Sequence, residues 1–337
     1  MTKTTLTSND FQRAVKLING AANCLITTHT KPDGDAVGCC VAMYEVLSSL
    51  GKKAQILFLS ALPQWYSFLL DHKVPVLGQD INPEELAEGK LGQFDLIIIS
   101  DTNSYSQLPK IDNYLKQKPA PILVIDHHAT ADGLGDVEIV DADASAAALL
   151  VLDLLKFAHW PITPKIAEAL FVGVATDTGW FHFNNTDAVP FRASTELVEL
   201  GANPSKIYHK VYQSFSLQRL RLMTAMFNTL EIHFDGRFAT QHLTQQDFKN
   251  TGAGYEDTEN LIDECKRIGS VEVAALFVEM ADGRIRCSLR SRGAVNVCNI
   301  AQKFSGGGHP SAAGTYLPAP VDNAKTLILN EVKKHFG

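Results

Sequence analysis

The feature that most constrains the fold is an apolar run, residues 122–125, which follows a proline and ends in Asp126, His127 and His128. A short run of mostly β-branched residues in this setting is typical of a buried strand in a parallel sheet. Active sites of open α/β sheets lie just beyond the carboxyl ends of such strands. We therefore predict an α/β fold with these three polar residues at its site. The alternative for this tripeptide alone is an N-cap aspartate followed by two solvated histidines.

The two adjacent histidines are expected to have different roles. Successive side chains of an extended segment point to opposite sides, so His127 and His128 should not share one metal ion. We expect one of them to be a metal ligand and the other to face a substrate.

Acidic and imidazole groups also follow three other predicted elements. They are His29, Asp33 and Asp35 after a strand at 24–28, Asp101 after a strand at 94–100, and Asp177 after a buried helix at 165–175. A helix N-cap would account for Asp33 or Asp35 alone, and a turn after the helix would account for Asp177 alone. Neither accounts for the whole set of residues. Carboxylates gathered at one sheet edge repel one another, and divalent cations relieve that repulsion. Mixed Asp and His ligands suit Mn²⁺, with Mg²⁺, Co²⁺ or Zn²⁺ as alternatives, and a pair of such ions can activate a bridging water.

A further anion site is predicted at the start of a helix spanning 143–157. The backbone N–H groups of residues 143–146 can accept an anion there. Simple N-capping by Asp143 or Ser145 is the alternative for each residue singly.

The pattern of the chain changes near residue 229. We predict a first domain at 1–202, a helical connector at 203–228 and a smaller α+β domain at 229–337. Arg290 lies on an alternating strand of this second domain that forms a hairpin with the strand before it. The segment 304–314 contains three consecutive glycines, whose N–H groups can approach and bind an anion; a flexible loop is the alternative.

Composition narrows the function classes. The 337 residues are 45% hydrophobic and 20% charged, which is globular, and the net charge of −7 argues against long duplex DNA as a partner. Apolar runs are too short to span a membrane, and the polar N-terminus lacks the core of a signal peptide. Six cysteines without CxxC spacing are typical of reduced thiols and a cytoplasmic location. The oligomeric state stays open, with a homodimer as one alternative.

Several of these motifs together resemble the DHH phosphoesterase superfamily. The matching residues are His29, Asp33, Asp35, Gly38, Asp101, Asp126, His127, His128, Asp177 and Gly179, and in the second domain Ser288, Arg290, Gly306, Gly307, Gly308, His309, Ala312 and Gly314. The resemblance covers nearly the whole chain and is closest to the oligoribonuclease (nanoRNase) and 3′-phosphoadenosine 5′-phosphate phosphatase branch. It implies an N-terminal parallel sheet with helices on both faces and a C-terminal DHH-associated domain with a mixed sheet.

The resemblance also implies a role for each residue. His29 and Asp33 would bind one Mn²⁺. Asp35, His127 and Asp177 would bind the other, and Asp101 would bridge the two ions. The catalytic residues would be Asp101, His128 at the scissile phosphate, and Asp126 in support of the histidines. Substrate-binding residues would be His128, Ser145, Arg290, Gly306, Gly307, Gly308 and His309, across a cleft between the domains. Many relatives have a Ser/Thr-rich segment ending in Glu where this chain keeps only Ser145 with a hydroxyl.

The implied substrates are short RNA of about two to five nucleotides, degraded to mononucleotides, and 3′-phosphoadenosine 5′-phosphate, converted to AMP. Alternatives are a phosphodiesterase for linear or cyclic dinucleotides, an inorganic pyrophosphatase and a nucleotide-binding protein without activity. The glycine-rich motif argues against the pyrophosphatase, and the full set of ligands argues against an inactive binder.

Overall fold

The computed structural model describes residues 6–213 and 215–336. Contacts divide the chain into two compact units, the first extending to Ser214 and the second beginning at Phe215. Within the described ranges, no helix is both long and apolar enough to cross a bilayer. The predicted domain bounds, which set residues 203–228 apart as a connector, remain a prediction.

The first unit contains a parallel five-stranded sheet in the order β2-β1-β3-β4-β5, which confirms the predicted α/β class. Its strands are β1 (Asn23–Thr28), β2 (Lys53–Leu57), β3 (Leu96–Ser100), β4 (Ile122–Asp126) and β5 (Val137–Val140). Its helices are α1 (Ser8–Gly20), α2 (Gly34–Ser49), α3 (Pro83–Ala87), α4 (Asp112–Lys116), α5 (Ala147–Phe157), α6 (Pro164–Asp177), α7 (Ala188–Glu199) and α8 (Pro204–Tyr212), with 3₁₀ turns at Gln64–Leu69 and Tyr105–Gln107.

Hydrophobic clusters cover both faces of this sheet. On one face, Ile26 and Ile98 pack into a core built with α1, α2, α5 and α6. On the other face, Leu25 and Ile97 pack with residues of α3, α4 and the segment between them. Alternate residues of the same strands thus enter opposite cores, which explains why the strands are apolar throughout.

The second unit contains a six-stranded mixed sheet in the order β10-β11-β9-β8-β7-β6. Its strands are β6 (Glu231–His233), β7 (Phe238–Leu243), β8 (Val273–Glu279), β9 (Arg284–Ser291), β10 (Gly307–His309) and β11 (Ala312–Pro318). Its helices are α9 (Leu217–Asn228), α10 (Gln245–Thr251), α11 (Val297–Gln302) and α12 (Val321–Phe336), with 3₁₀ segments at Tyr255–Thr258 and Leu261–Arg267. Only β7 and β8 pair in parallel, and β8 and β9 form the predicted hairpin.

One predicted helix differs from the structure. The helix expected at 143–157 begins at Ala147, because residues 141–145 turn back so that the Asp141 side chain accepts the amide of Asp143. Strands β6 and β7 are separated by Phe234 and Asp235, which adopt left-handed backbone conformations. Within the glycine-rich segment, Gly307–His309 is an edge strand paired with β11, which argues against the alternative of a flexible loop.

Candidate metal centre

The carboxyl ends of three neighbouring strands bring the predicted residues together. Strands β1, β3 and β4 lie side by side, with Thr28 opposite Ser100 and Ser100 opposite Ile125. The next residue in each strand or loop is a candidate ligand or its support: His29, Asp101 and Asp126. The predicted convergence on one sheet edge is therefore present in the structure.

Asp101 lies at the middle of the cluster. It is only 2% exposed, and it leaves β3 with a left-handed φ of 61°, a conformation that aspartate tolerates better than most residues. Its Oδ2 is 3.4 Å from His29 Nε2, and its Oδ1 is 3.3 Å from His127 Nε2. The two oxygens thus face the two imidazoles separately, as expected for a carboxylate that bridges two ions.

His29 and Asp33 form the first candidate ligand set with Asp101. His29 Nδ1 lies 2.9 Å from the Thr30 carbonyl, to which it can donate, and this leaves Nε2 available to a metal. Asp33 also caps α2, since its Oδ1 accepts the amides of Asp35 and Ala36 at 3.0 and 3.1 Å. With 54% of its side chain exposed, Asp33 is the solvent-facing member of the set.

Asp35, His127 and Asp177 form the second candidate set. His127 Nε2 is 3.3 Å from Asp177 Oδ2 and 4.0 Å from Asp35 Oδ2. Its Nδ1 lies 3.1 Å from the Ala144 carbonyl, which fixes the ring with Nε2 toward the carboxylates.

The N-terminus of α5 binds a carboxylate of the protein itself. The amides of Ala147 and Ala148 donate to the two oxygens of Asp35 at 2.6 and 2.9 Å, and Asp35 is fully buried. The anion that we predicted at residues 143–146 is thus an internal side chain, bound a little further along the chain. Neither Asp143 nor Ser145 caps the helix, whose N-cap is Ala146.

The argument that the two histidines point to opposite sides is wrong. Strand β4 ends at Asp126, and the rings of His127 and His128 lie 4.7 Å apart at 60°. Asp101, His127 and His128 also have potential ligand atoms within 4.8 Å of one another. The prediction that their roles differ therefore rests on their partners and on exposure, which is 13% for the His127 side chain and 45% for that of His128.

Asp126 holds the turn that carries both histidines. Its Oδ1 accepts the amide of His127 at 2.8 Å and Nδ1–H of His128 at 2.7 Å. Its Oδ2 is buried without a hydrogen-bond partner among the described residues. The contact with Nδ1 leaves the Nε2 atom of His128 free for another partner.

The protonation of the cluster is set by its own charges. Burial opposes ionisation of Asp101, but the imidazoles of His127 and His29 outweigh it and lower its pKa to about 2. Burial likewise opposes protonation of His127, but Asp101, Asp35 and Asp177 raise its pKa to about 10, and Asp101 and Asp33 raise that of His29 to about 9. Burial raises the pKa of Asp177 to about 7. Without metal, two imidazolium ions thus balance part of the acidic charge.

We expect the metal-free protein to lose stability as the pH rises from about 6.5 to about 10. The raised pKa values of His29 and His127 compare with about 6.5 in an unfolded chain. A histidine with a raised folded-state pKa contributes stability that is fully present below the unfolded value and is lost as the pH rises through the folded value. Urea denaturation in EDTA should show a loss of roughly 2–4 kcal/mol in the free energy of unfolding.

Two variants serve as controls for this pH dependence. His127→Gln removes one of the two titrating groups and should flatten the profile by about half. His72→Gln, at an exposed site in the same unit, should leave it unchanged. A flat profile for the unaltered chain would show that the imidazolium ions do not stabilise the cluster.

The donor set fits divalent metal ions. Asp101 Oδ1 is buried without a hydrogen-bond partner among the described residues, although His127 Nε2 lies 3.3 Å from it. This distance and the 3.4 Å between Asp101 Oδ2 and His29 Nε2 are long for charge-assisted hydrogen bonds. The mixture of carboxylate oxygen and imidazole nitrogen suits Mn²⁺, Zn²⁺ and related ions. The structure therefore contains a candidate acidic and histidine metal site.

Close packing of α2 against α6 brings the second ligand set together. A Cβ added at Gly173 would lie 2.6 Å from Asp35 Oδ1 and 2.7 Å from Ala148 Cβ. A Cβ at Gly38 would collide with the Ala169 carbonyl, which explains why a glycine lies at this position of α2. We did not predict Gly173 from the sequence; an isolated glycine within an apolar helix was the available signal.

Asn185 is a second residue that we did not predict. Its Nδ2 donates to the carbonyls of Ser145 and Asp177 at 3.2 and 3.1 Å, so it joins the segment before α5 to the end of α6. Ser145 itself is 4% exposed. The contact between Ser145 and substrate remains a prediction.

In the second unit, several predicted substrate residues lie in two rows that run across strands β9, β11 and β10. Arg290 lies opposite Ala312, which lies opposite residue 309, and Gly314 lies opposite Gly307 in the next row. Small residues on β11 thus separate Arg290 from the glycine strand. The side chain of His309 lies outside the described part of the structure.

The three glycines differ in what they contact. A Cβ at Gly306 or Gly308 would collide with the backbone of β11, and Gly308 has a φ of 138°. A Cβ at Gly307 would meet nothing within 4 Å. The first and third glycines are thus required by strand packing, and only Gly307 leaves room for a ligand.

Comparison with known proteins gives two family matches. The model of the DHH family, N-terminal domain, matches residues 23–174, and that of the DHHA1 domain matches residues 238–336. The chain is 30% identical over 310 residues to the bifunctional oligoribonuclease and PAP phosphatase NrnA of Thermus thermophilus, covering 92% of this chain and 89% of the relative. It is 27% identical to the protein of the same name from Bacillus subtilis, with coverage of 87% and 88%.

A solved structure has the same fold. The crystal structure of an exopolyphosphatase-related protein from Bacteroides fragilis superposes with a TM-score of 0.90 at 24% identity and covers 99% of this chain and 98% of that one. The predicted arrangement of a parallel-sheet domain and a mixed-sheet domain is therefore that of a known architecture.

Proposed function

The chain belongs to the DHH family, and from this membership we propose that it is a metal-dependent phosphoesterase for short RNA and 3′-phosphoadenosine 5′-phosphate. Short RNA would be degraded to mononucleotides, and 3′-phosphoadenosine 5′-phosphate would be converted to AMP. The names of the relatives from Thermus thermophilus and Bacillus subtilis support both substrates.

The position of Asp101 is the observation that carries this proposal. It is nearly buried and belongs to the group with His29 and Asp33, while its other oxygen faces His127 of the second group. We assign His29 and Asp33 to one metal, Asp35, His127 and Asp177 to the other, and Asp101 to both. Mn²⁺ is the proposed metal because it accepts imidazole and carboxylate ligands together.

His128 is the proposed contact to the scissile phosphate. Bound divalent ions would polarise the phosphoryl oxygen and lower the pKa of a shared water. The hydrogen bond with Asp126 raises the pKa of His128, which favours the protonated ring. Because Asp126 occupies Nδ1, the Nε2–H group remains to donate to a phosphate oxygen.

A comparison of substrates tests the proposal. Initial rates with Mn²⁺ would be measured on RNA of about two to five nucleotides, long RNA, 3′-phosphoadenosine 5′-phosphate, linear and cyclic dinucleotides, and pyrophosphate. We expect the short RNAs and 3′-phosphoadenosine 5′-phosphate to be hydrolysed fastest. Faster turnover of pyrophosphate or cyclic dinucleotides would replace the proposed substrate class, and no turnover of any substrate would leave a binding protein.

Replacing His127 and replacing His128 should have different effects on the metal content of the protein. His127→Ala removes a group within 4.0 Å of Asp35, Asp101 and Asp177 and should lower bound Mn²⁺ from two ions to about one. His128→Ala should retain both ions and lower kcat by about 10²–10³-fold, since the exposed His128 ring is the proposed donor to the scissile phosphate. Metal analysis of the purified variants decides this, and equal metal loss in both would show that His128 is also a ligand.

Arg290 is the proposed anchor for a terminal phosphate. Arg290→Ala should lower kcat/KM for short RNA. The corresponding loss of transition-state stabilisation should be about 1.5–3 kcal/mol, the value of a lost charge-assisted hydrogen bond. Bis-p-nitrophenyl phosphate, which has no terminal phosphate, should be affected much less. Arg284→Ala is the matched control, because Arg284 is an exposed arginine of the same strand that pairs with Asp282. Equal loss on both substrates would place Arg290 at the reacting phosphate or in folding.

A further inference from the structure

A shallow groove on the first unit lies outside the metal centre. It is lined by Trp180 and by residues of α8, among them Lys206, Tyr208 and His209. The rings of Trp180 and Tyr208 meet edge to face, with centroids 5.0 Å apart at 66°. Tyr208 is 39% exposed, so a flat ligand can stack on its ring.

One side of the groove is close in sequence to a candidate metal ligand. Trp180 follows Asp177 by three residues, and its amide donates to the Ala175 carbonyl within the last turn of α6. At its other end, Tyr212 has its ring 5.1 Å from that of Tyr208 and 5.6 Å from that of Trp180. The rings therefore lead away from the helix that ends in a candidate metal ligand.

The charge of the groove is opposite to that of the chain. The chain has a net charge of −7, but the residues that line the groove include no carboxylate. The side chain of Lys206 is exposed. The exposed ring of Tyr208 and the partly exposed ring of Trp180, beside an ammonium group, are suited to a base and a phosphate, the two parts of a nucleotide.

We propose that this groove is a second nucleotide subsite, in which a base of the RNA strand stacks on Trp180 and Tyr208 while a phosphate pairs with Lys206. The proposal rests on the proposed function and extends it, since it identifies where a strand continues beyond the nucleotide at the metals. RNA of three to five nucleotides would reach the subsite, whereas 3′-phosphoadenosine 5′-phosphate, a single nucleotide, would not.

The test compares substrates of different length in matched variants. Tyr208→Ala and Lys206→Ala should each lower the ratio of kcat/KM for a pentanucleotide to that for 3′-phosphoadenosine 5′-phosphate by about five- to twenty-fold. Phe157→Ala and Lys16→Ala are the controls, an exposed ring at the far end of α5 and an exposed lysine of α1. They should keep the ratio of the unaltered chain.

A binding measurement separates this proposal from the proposed function. In EDTA, which prevents metal-dependent hydrolysis, the dissociation constant of a fluorescent pentanucleotide should rise about five-fold or more in Tyr208→Ala. In Lys206→Ala the slope of log K against log salt should fall by about 0.7, the value for one phosphate contact on a single strand. This readout remains informative even if the unaltered chain hydrolyses no RNA.

Three outcomes would overturn the proposal. An unchanged ratio and unchanged binding would show that RNA does not occupy the groove. An equal loss on the pentanucleotide and on 3′-phosphoadenosine 5′-phosphate, without a change in RNA affinity, would show that the substitutions disturb the metal centre. A change in the molar mass in solution, with unchanged RNA affinity, would assign the groove to contacts between copies of the chain.

Discussion

Replacing Asp101 with asparagine should lower kcat by about 10³-fold or more, because one neutral amide cannot serve two cations as a carboxylate does. The side chain keeps its shape, so the change acts on charge and ligand number. Asp101 faces both His29 and His127 and belongs to two of the candidate ligand groups. We therefore expect Asp101→Asn to lose affinity for both ions, measured by titration with Mn²⁺ alongside kcat.

The matched control is Asp95→Asn, near the opposite end of β3. Asp95 accepts the amides of Ala22 and Asn23 at 2.9–3.1 Å, so its loss removes structural hydrogen bonds without touching the centre. Asp95→Asn should lower stability and keep kcat in the folded fraction. If Asp101→Asn bound two ions and kept its rate, the bridging role would be refuted.

Substituting Gly173 with alanine should damage the centre although alanine is normally the better helix former, by about 1 kcal/mol. The new methyl group would lie 2.6 Å from Asp35 Oδ1 and 3.3 Å from Asp35 Cα. Asp35 cannot yield freely, since its carboxylate is held by the amides of Ala147 and Ala148. We expect a loss of about 1–3 kcal/mol in stability and of about 10²-fold in kcat, with weaker binding of one Mn²⁺.

Two further variants identify the cause of the Gly173→Ala defect. A Cβ at Gly20, the last residue of α1, would meet nothing within 4 Å, so Gly20→Ala should be nearly neutral. The double variant with Ala148→Gly removes the contact between the methyl groups but retains the collision with Asp35. Restoration of kcat in the double variant would show that packing of α5 on α6, rather than the position of Asp35, was responsible.

The strands and their terminal residues could be predicted because the signals are local. Each of β1, β3 and β4 is a short apolar run, and the residue types that follow, such as His29 and Asp101, change character abruptly. Parallel strands then bring these residues to one edge of the sheet by geometry alone. The fold class and the membership of the cluster therefore followed from sequence patterns.

What could not be predicted depends on contacts between distant segments. The amides that bind Asp35 lie more than a hundred residues away, and no sequence pattern marks a backbone N–H group as a partner for a particular side chain. The relative orientation of His127 and His128 depended on where β4 ends, and a strand boundary is less certain than the strand itself. The need for Gly173 similarly arises only when α2 packs on α6.

The bonds that α5 makes to Asp35 imply that the two proposed metal positions exchange their ions at different rates. Asp35 is immobilised by folding, so an ion beside it binds a rigid ligand. The entropy cost of ordering this side chain is part of folding and not of ion binding. Asp33, at the other position, is half-exposed and open to water. The ion held by His29 and Asp33 should therefore leave first on dilution or chelation, and the ion beside Asp35 should follow more slowly.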